Sequence, residues 1–214
     1  CDVAPYNILA ITFTNKAAKE MKERVEGLVG QVAQDMWLGT FHSVCVRILK
    51  REIELLGYTR DFNIFDEIDK EKVIKEVMKK LNIDEKIYPV GLIKSEISKA
   101  KEVMKDDVAY QKDSIGDFRK EEIAKVYSMY QATLRTNNSI DFDDIIMLTV
   151  KLFLEHPDRL DYYQSKFNYI LVDEYQDTNK TQFLLISLLS AATGNICVVG
   201  DESQSIYGFR GADI

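Results

Sequence analysis

Three short apolar runs, each ending in a polar loop or a charged helix, restrict this chain more than any other feature of its 214 residues. Tyr169-Ile-Leu-Val172 leads into Asp173-Glu174, Ile196-Cys-Val-Val199 into Gly200-Asp201, and Ile8-Leu-Ala-Ile-Thr-Phe13 into Thr14-Asn15. Continuous rather than alternating apolar character is what a strand buried on both faces of a parallel sheet requires. In open parallel sheets the ligand crevice lies beyond the carboxyl ends of the strands. The polar residues that follow the runs are therefore the first candidates for chemistry. Adjacent side chains diverge there, so Asp173 is expected to face a metal and Glu174 a nucleophilic water. A hard cation such as Mg²⁺ takes oxygen ligands and keeps several waters, so one carboxylate plus substrate phosphates is enough protein ligation.

After Thr14, the residues Ala17, Ala18, Met21, Val25 and Leu28 recur at helical spacing with charge between them. Phe41 to Leu56 reads as a second helix, with Gly57 as its stop. From there the texture is wholly helical: Lys70 to Leu81, Leu92 to Val103 and Phe118 to Leu134 each carry an apolar face, punctuated by Pro89-Val-Gly91 and Asp113-Ser-Ile-Gly116. Asp141-Phe-Asp-Asp144 sets three carboxylates close together, yet it also opens a helix with apolar face Phe142, Ile145, Ile146, Thr149, Leu152 and Phe153. Acidic residues at a helix N-terminus are stabilised by orphan N–H groups and the dipole, and that structural role is preferred to a metal site. His42 and His156 are too far apart in sequence to imply a metal pair, and His156-Pro157 reads as a loop.

Composition narrows the class. At 46% apolar the chain can bury a substantial core, and no apolar stretch reaches the roughly 18 residues of a membrane span. No signal peptide is evident. Cys1, Cys45 and Cys197 are odd in number and lack metal spacing, which fits reduced thiols. A net charge of −7 argues against a general polyanion binder. It leaves room for a protein that holds single strands by stacking bases on aromatic rings, worth about 1–3 kcal/mol per base.

Five stretches together carry a family resemblance: Ile11-Thr-Phe-Thr-Asn-Lys-Ala-Ala-Lys-Glu-Met21, Gly39-Thr-Phe-His-Ser43, Ile140-Asp-Phe-Asp-Asp144, Val172-Asp-Glu-Tyr-Gln-Asp-Thr178 and Val199-Gly-Asp-Glu-Ser-Gln-Ser-Ile-Tyr-Gly-Phe-Arg-Gly-Ala-Asp213. In this order, spanning nearly the whole chain, they resemble motifs of the UvrD/PcrA/Rep group of superfamily 1 DNA helicases, on its Gram-positive PcrA side. The resemblance implies an α/β fold: a partial RecA-like (P-loop NTPase) parallel-sheet core with an all-helical inserted domain. It divides the chain into residues 1–65 of the core, an insertion over 66–138 and the rest of the core over 139–214.

The resemblance also implies roles. Asp173 is similar to the carboxylate that coordinates Mg²⁺, Glu174 to the general base for attack on the γ-phosphate of ATP, and Gln204 to the residue that senses that phosphate. Tyr207 and Phe209 resemble the aromatics on which bases stack, with Arg210 beside them. Phe13 and Asn15 resemble the lining of a base pocket, and Thr40 and His42 match positions that approach the DNA backbone. Implied partners are ATP, single-stranded and duplex DNA, and repair or replication proteins, in a cytoplasmic, nucleoid-associated setting without membrane.

Family members carry a Gly-x-x-x-x-Gly-Lys-Thr/Ser loop ahead of the first motif, and no such pattern occurs here. The chain therefore resembles a fragment without that loop or the second RecA-like domain, and is expected to be inactive alone. An exposed sheet edge, with association or partial disorder near Asp2 to Ile11, is the expected consequence. Two other readings stay open: a non-hydrolytic DNA- or protein-binding module, and the motor part of a helicase–nuclease.

Overall fold

A computed structural model describes residues 3–201. In chain order the elements are β1 (Ile8–Thr12), α1 (Asn15–Val29), β2 (Trp37–Thr40), α2 (Phe41–Glu52), β3 (Asn63–Phe65), α3 (Glu67–Lys80), α4 (Val90–Glu102), α5 (Asp107–Asp113), α6 (Phe118–Thr136), β4 (Ser139–Asp141), α7 (Phe142–Glu155), α8 (Pro157–Lys166), β5 (Tyr169–Val172), α9 (Lys180–Ser190) and β6 (Ile196–Val198).

The three apolar runs become β1, β5 and β6 of one parallel sheet in the order β2-β1-β5-β6. Parallel neighbours require long crossovers. Here α1 joins β1 to β2, everything from α2 to α8 joins β2 to β5, and α9 joins β5 to β6. Helices α2, α7 and α9 pack on one another and on the sheet around Leu9, Phe41, Ile48, Phe153, Ile170 and Leu185.

β3 and β4 form a separate two-stranded parallel ladder, Ile64 opposite Ile140. Between these strands lie α3 to α6, whose apolar cluster of Ile74, Val77, Ile93, Ile97, Tyr127 and Leu134 is distinct from the first. A parallel-sheet core thus carries a helical insertion. The local code is plain: α3, α5 and α6 each start on an aspartate, Asp66, Asp106 or Asp117, whose carboxylate accepts backbone N–H bonds of the first turn.

Four details depart from the sequence reading. β5 is buried on one face only: Ile170 and Val172 are covered, but Leu171 is 42% exposed and Val198 of β6 is 47% exposed. Helix α1 lies against β2 and β1 instead, so that face of β5 and β6 is bare among the described residues. The edge expected near Asp2 to Ile11 is not at β1, which sits between two strands with Leu9 and Ile11 buried; among the described residues the outer strands are β2 and β6. His156-Pro157 opens α8, where proline suits the first helical position because its missing N–H has no partner to lose there. Finally, α2 ends at Glu52, and Ile53–Leu56 tightens into a 3₁₀ turn closed by Gly57 at φ 81°. No described helix is long and apolar enough to cross a membrane.

Candidate nucleotide edge and aromatic cavity

The ladder between β1 and β5 runs to its last rung, where the Asp173 N–H donates to Ile11 O at 2.9 Å. The backbone then turns through Glu174 in the left-handed region (φ 53°, ψ 40°), a conformation that costs a non-glycine residue energy, and enters the short 3₁₀ turn Tyr175–Asp177. Gln176 Nε2 donates to Glu174 Oε2 at 2.6 Å. The exit of β6 is fastened to the same turn: Tyr175 N–H donates to Val199 O at 2.9 Å, and Asp201 N–H to Gln176 Oε1 at 3.1 Å. Gly200 suits this approach, since a Cβ there would push Gln176 Oε1, at 2.6 Å, off the Asp201 N–H and crowd the Gln176 backbone N at 3.2 Å.

Asp173 is exposed at this edge. Asp177 is nearly buried, and burial together with the Glu174 charge raises its carboxyl above the usual range. Thr12 Oγ1, at the end of β1, and Asp177 Oδ1 are buried without a hydrogen-bond partner among the described residues. Orphaned buried oxygens are unfavourable and mark places where a water or ion belongs. With the open Asp173 carboxylate they suit a hydrated hard cation and the anionic oxygens it brings.

Beside this edge lies a cavity of about 490 Å³. Phe13, the residue after β1, meets Phe41 at the start of α2 edge to face, centroids 5.9 Å apart. His42 lies flat under Phe142, the first residue of α7, at 3.7 Å and 20°. Phe142 is 52% exposed. Burial outweighs the opposing pull of Asp143 and brings His42 down to about 4, so its ring is neutral near pH 7. Four rings, none of them charged, therefore line one wall. Thr40 is buried and caps α2: its Oγ1 accepts the Ser43 N–H at 3.2 Å, while Ser43 Oγ accepts the Thr40 N–H at 2.9 Å. Asn15 stands exposed as the first residue of α1, which Thr14 caps.

Under the cavity, Asp141-Phe-Asp-Asp144 is a helix cap fused to an ion network. Asp141 and Asp144 form a reciprocal capping box at the start of α7. Lys101 of α4, fully buried, lies 2.8 Å from both Asp141 Oδ2 and Asp144 Oδ1. Lys70 of α3 donates to Asp143 Oδ2 at 2.6 Å and to Ser98 Oγ at 2.9 Å. Tyr130 donates its hydroxyl to Asp141 at 2.9 Å. Burial disfavours every charge here, but Lys101 and Lys70 hold Asp141 below the usual carboxylate range, and the carboxylates hold both lysines above theirs. Asp144, buried against the Asp141 charge, is pushed up to about 6.

The whole chain, residues 1–214, matches the model of the UvrD/REP helicase N-terminal domain. It belongs to that family. The chain is 54% identical over 213 residues to the ATP-dependent DNA helicase PcrA of Staphylococcus epidermidis and 53% identical to that of Staphylococcus aureus. The alignments cover 100% of this chain and 29% of each relative, so the chain spans under a third of their length.

Within this UvrD/REP domain, Asp173 and Glu174 sit at the sheet edge and Phe13 and His42 share the cavity. Gln204, Tyr207, Phe209 and Arg210 lie outside the described residues. Sequence reasoning placed Phe142 on the apolar face of its helix, whereas the ring is half exposed over His42. It missed Lys70, Lys101 and Gln176. Lys101 had a signal: it follows Ile93 and Ile97 at intervals of four, on a stripe that is otherwise buried.

Proposed function

We propose that this chain is part of an ATP-driven DNA helicase or translocase. It would supply the metal-binding and water-activating carboxylates and one wall of the single-strand path. The observation that carries the reading is that Asp173-Glu174 leaves the sheet one strand away from Phe13, which opens onto the aromatic cavity. Hydrolysis and strand contact then share one rigid sheet edge.

In this reading Asp173 holds Mg²⁺, and bound Mg²⁺–ATP supplies the γ-phosphoryl group and neutralises charge developing on it. Glu174 accepts the proton of the attacking water, with one oxygen steadied by Gln176 and the other left to the water. Such chemistry depends mainly on positioning and charge neutralisation. Phe13, His42 and Phe142 hold bases by stacking, which suits an acidic chain because stacking needs no dense cationic groove. Thr40 acts mainly through the backbone it caps. Gln204, Tyr207, Phe209 and Arg210 complete the phosphate sensor and strand contacts, as their motif implies. The division into core residues 1–65, insertion 66–138 and core 139–214 belongs to the same proposal.

One observation favours a narrower role for the chain by itself: its sequence holds no Gly-x-x-x-x-Gly-Lys loop to cradle phosphates. Hydrolysis would then belong to the longer polypeptide and strand binding to both. Turnover of Mg²⁺–ATP by that polypeptide, with and without a single-stranded oligonucleotide, tests the proposal. Stimulation by the strand is expected, and turnover indifferent to DNA overturns it.

A further inference from the structure

Phe142 is the most exposed ring of the cavity, and it is bracketed in sequence by Asp141 and Asp143. Neither carboxylate is free. Asp143 is held by Lys70 of α3 and by Ser98 of α4, whose hydroxyl donates to the same Oδ2 at 2.7 Å. Asp141 is held by Lys101 of α4 and Tyr130 of α6. Helix α4 is itself fastened to the core at its end, where Thr181 of α9 donates to the Lys101 and Glu102 carbonyls at 3.0 and 2.7 Å. The insertion thus grips the chain on both sides of one ring, with buried charges that have no cheaper partner than each other.

We propose that Lys70 and Lys101 of the helical insertion are positioning residues for the Phe142–His42 stack, fixing its pose for a nucleic-acid base and transmitting displacements of the insertion to it. The inference rests on the reading of the cavity as a base site. Its physical basis is stiffness. A ring whose two neighbours are locked by charge-assisted hydrogen bonds cannot change pose without moving α3 and α4. A displacement of the insertion must likewise change the ring's pose. Buried pairs are poor sources of net stability, so orientation is the advantage this arrangement confers.

Lys70 is the more testable half of the grip. One of its partners, Asp143, keeps 21% side-chain exposure and can be rehydrated, and the other, the sealed Asp141 at 3.4 Å, keeps Lys101 and Tyr130, whereas both partners of Lys101 are sealed. The experiment is a double-mutant cycle in the longer polypeptide, reading the oligonucleotide concentration that half-maximally stimulates ATP turnover. Phe142→Ala and Lys70→Met are each expected to raise that concentration about fivefold, and the double variant to do no worse than Phe142→Ala alone. Turnover at saturating strand should stay within about twofold for Lys70→Met, a split between half-saturation and maximal rate that general loosening of the fold would not give. Should Lys70→Met not fold, Ser98→Ala completes the same cycle, since it removes the two hydrogen bonds of one hydroxyl and no charge. If Phe142→Ala weakens stimulation while Lys70→Met and Ser98→Ala do not, or if the effects simply add, the positioning role is overturned and the base site stands. If Phe142→Ala changes nothing, the base site fails and the positioning role falls with it.

Discussion

Gln176 links Glu174 to the loop that leaves β6: its Nε2 donates to Glu174 Oε2 at 2.6 Å while its Oε1 accepts the Asp201 N–H at 3.1 Å. One planar amide therefore reads two strand exits. If Glu174 activates water, Gln176 sets the direction in which its carboxylate points. Gln176→Ala should lower strand-stimulated turnover by roughly tenfold while leaving the half-saturating ATP concentration within about threefold, because only the pose of the base changes. Steady-state kinetics against ATP decide it, and a change confined to half-saturation would contradict the assignment.

Gly39 answers for the start of α2. A Cβ at this position would overlap Ser43 Oγ, the atom that closes the capping box on Thr40. Gly39→Ala should destabilise the fold by about 1–2 kcal/mol, the range expected when a helix loses its cap. Urea denaturation measures this, and Ser43→Ala should show part of the same loss.

Lys101 is fully buried between Asp141 and Asp144. Lys101→Met removes the cation between them and leaves Asp144 without an ion partner and Asp141 with only Lys70, 3.4 Å away, a change expected to cost about 3–5 kcal/mol. Replacing Asp144 by Asn in the same chain should recover part of the loss, because it takes away one of the stranded charges. An additive outcome in denaturation would show that the three groups do not act together.

His42 makes stability depend on pH. Its folded value of about 4 lies below its ordinary 6.5, so between these limits the unfolded chain binds a proton that the native state refuses. Its contribution is nil above pH 6.5 and grows more destabilising as pH falls toward 4. Asp143, which faces the ring and opposes the shift, is common to the natural protein and to His42→Asn. The difference between their denaturation midpoints should therefore widen in this window, in favour of the variant. A constant difference would mean that the imidazole titrates normally in the fold.

Strands β1, β5 and β6 were legible because continuous apolar runs have few other homes, and the helical insertion because α3, α4 and α6 carry amphipathic spacing, whereas the short β2, β3 and β4 carry no such run. The bare face of β5 was not legible. A run such as Tyr169-Ile-Leu-Val172 states that its residues are apolar, not which of them a helix covers. At the site, Asp173 and Glu174 could be read from position at a strand end, and Phe13 and His42 from motif likeness. The left-handed turn at Glu174 and the pairing of Lys70 and Lys101 with residues 40 to 73 positions away depend on tertiary approach, which no local pattern encodes.

The central claim is that Glu174 is the general base, and strand-stimulated ATP turnover of the longer polypeptide, natural against Glu174→Gln at saturating nucleotide, tests it most directly. A drop of at least about a hundredfold with nucleotide binding intact is the predicted result. Unchanged turnover would contradict the account and leave Asp173-Glu174 as a scaffold turn beside a binding cavity.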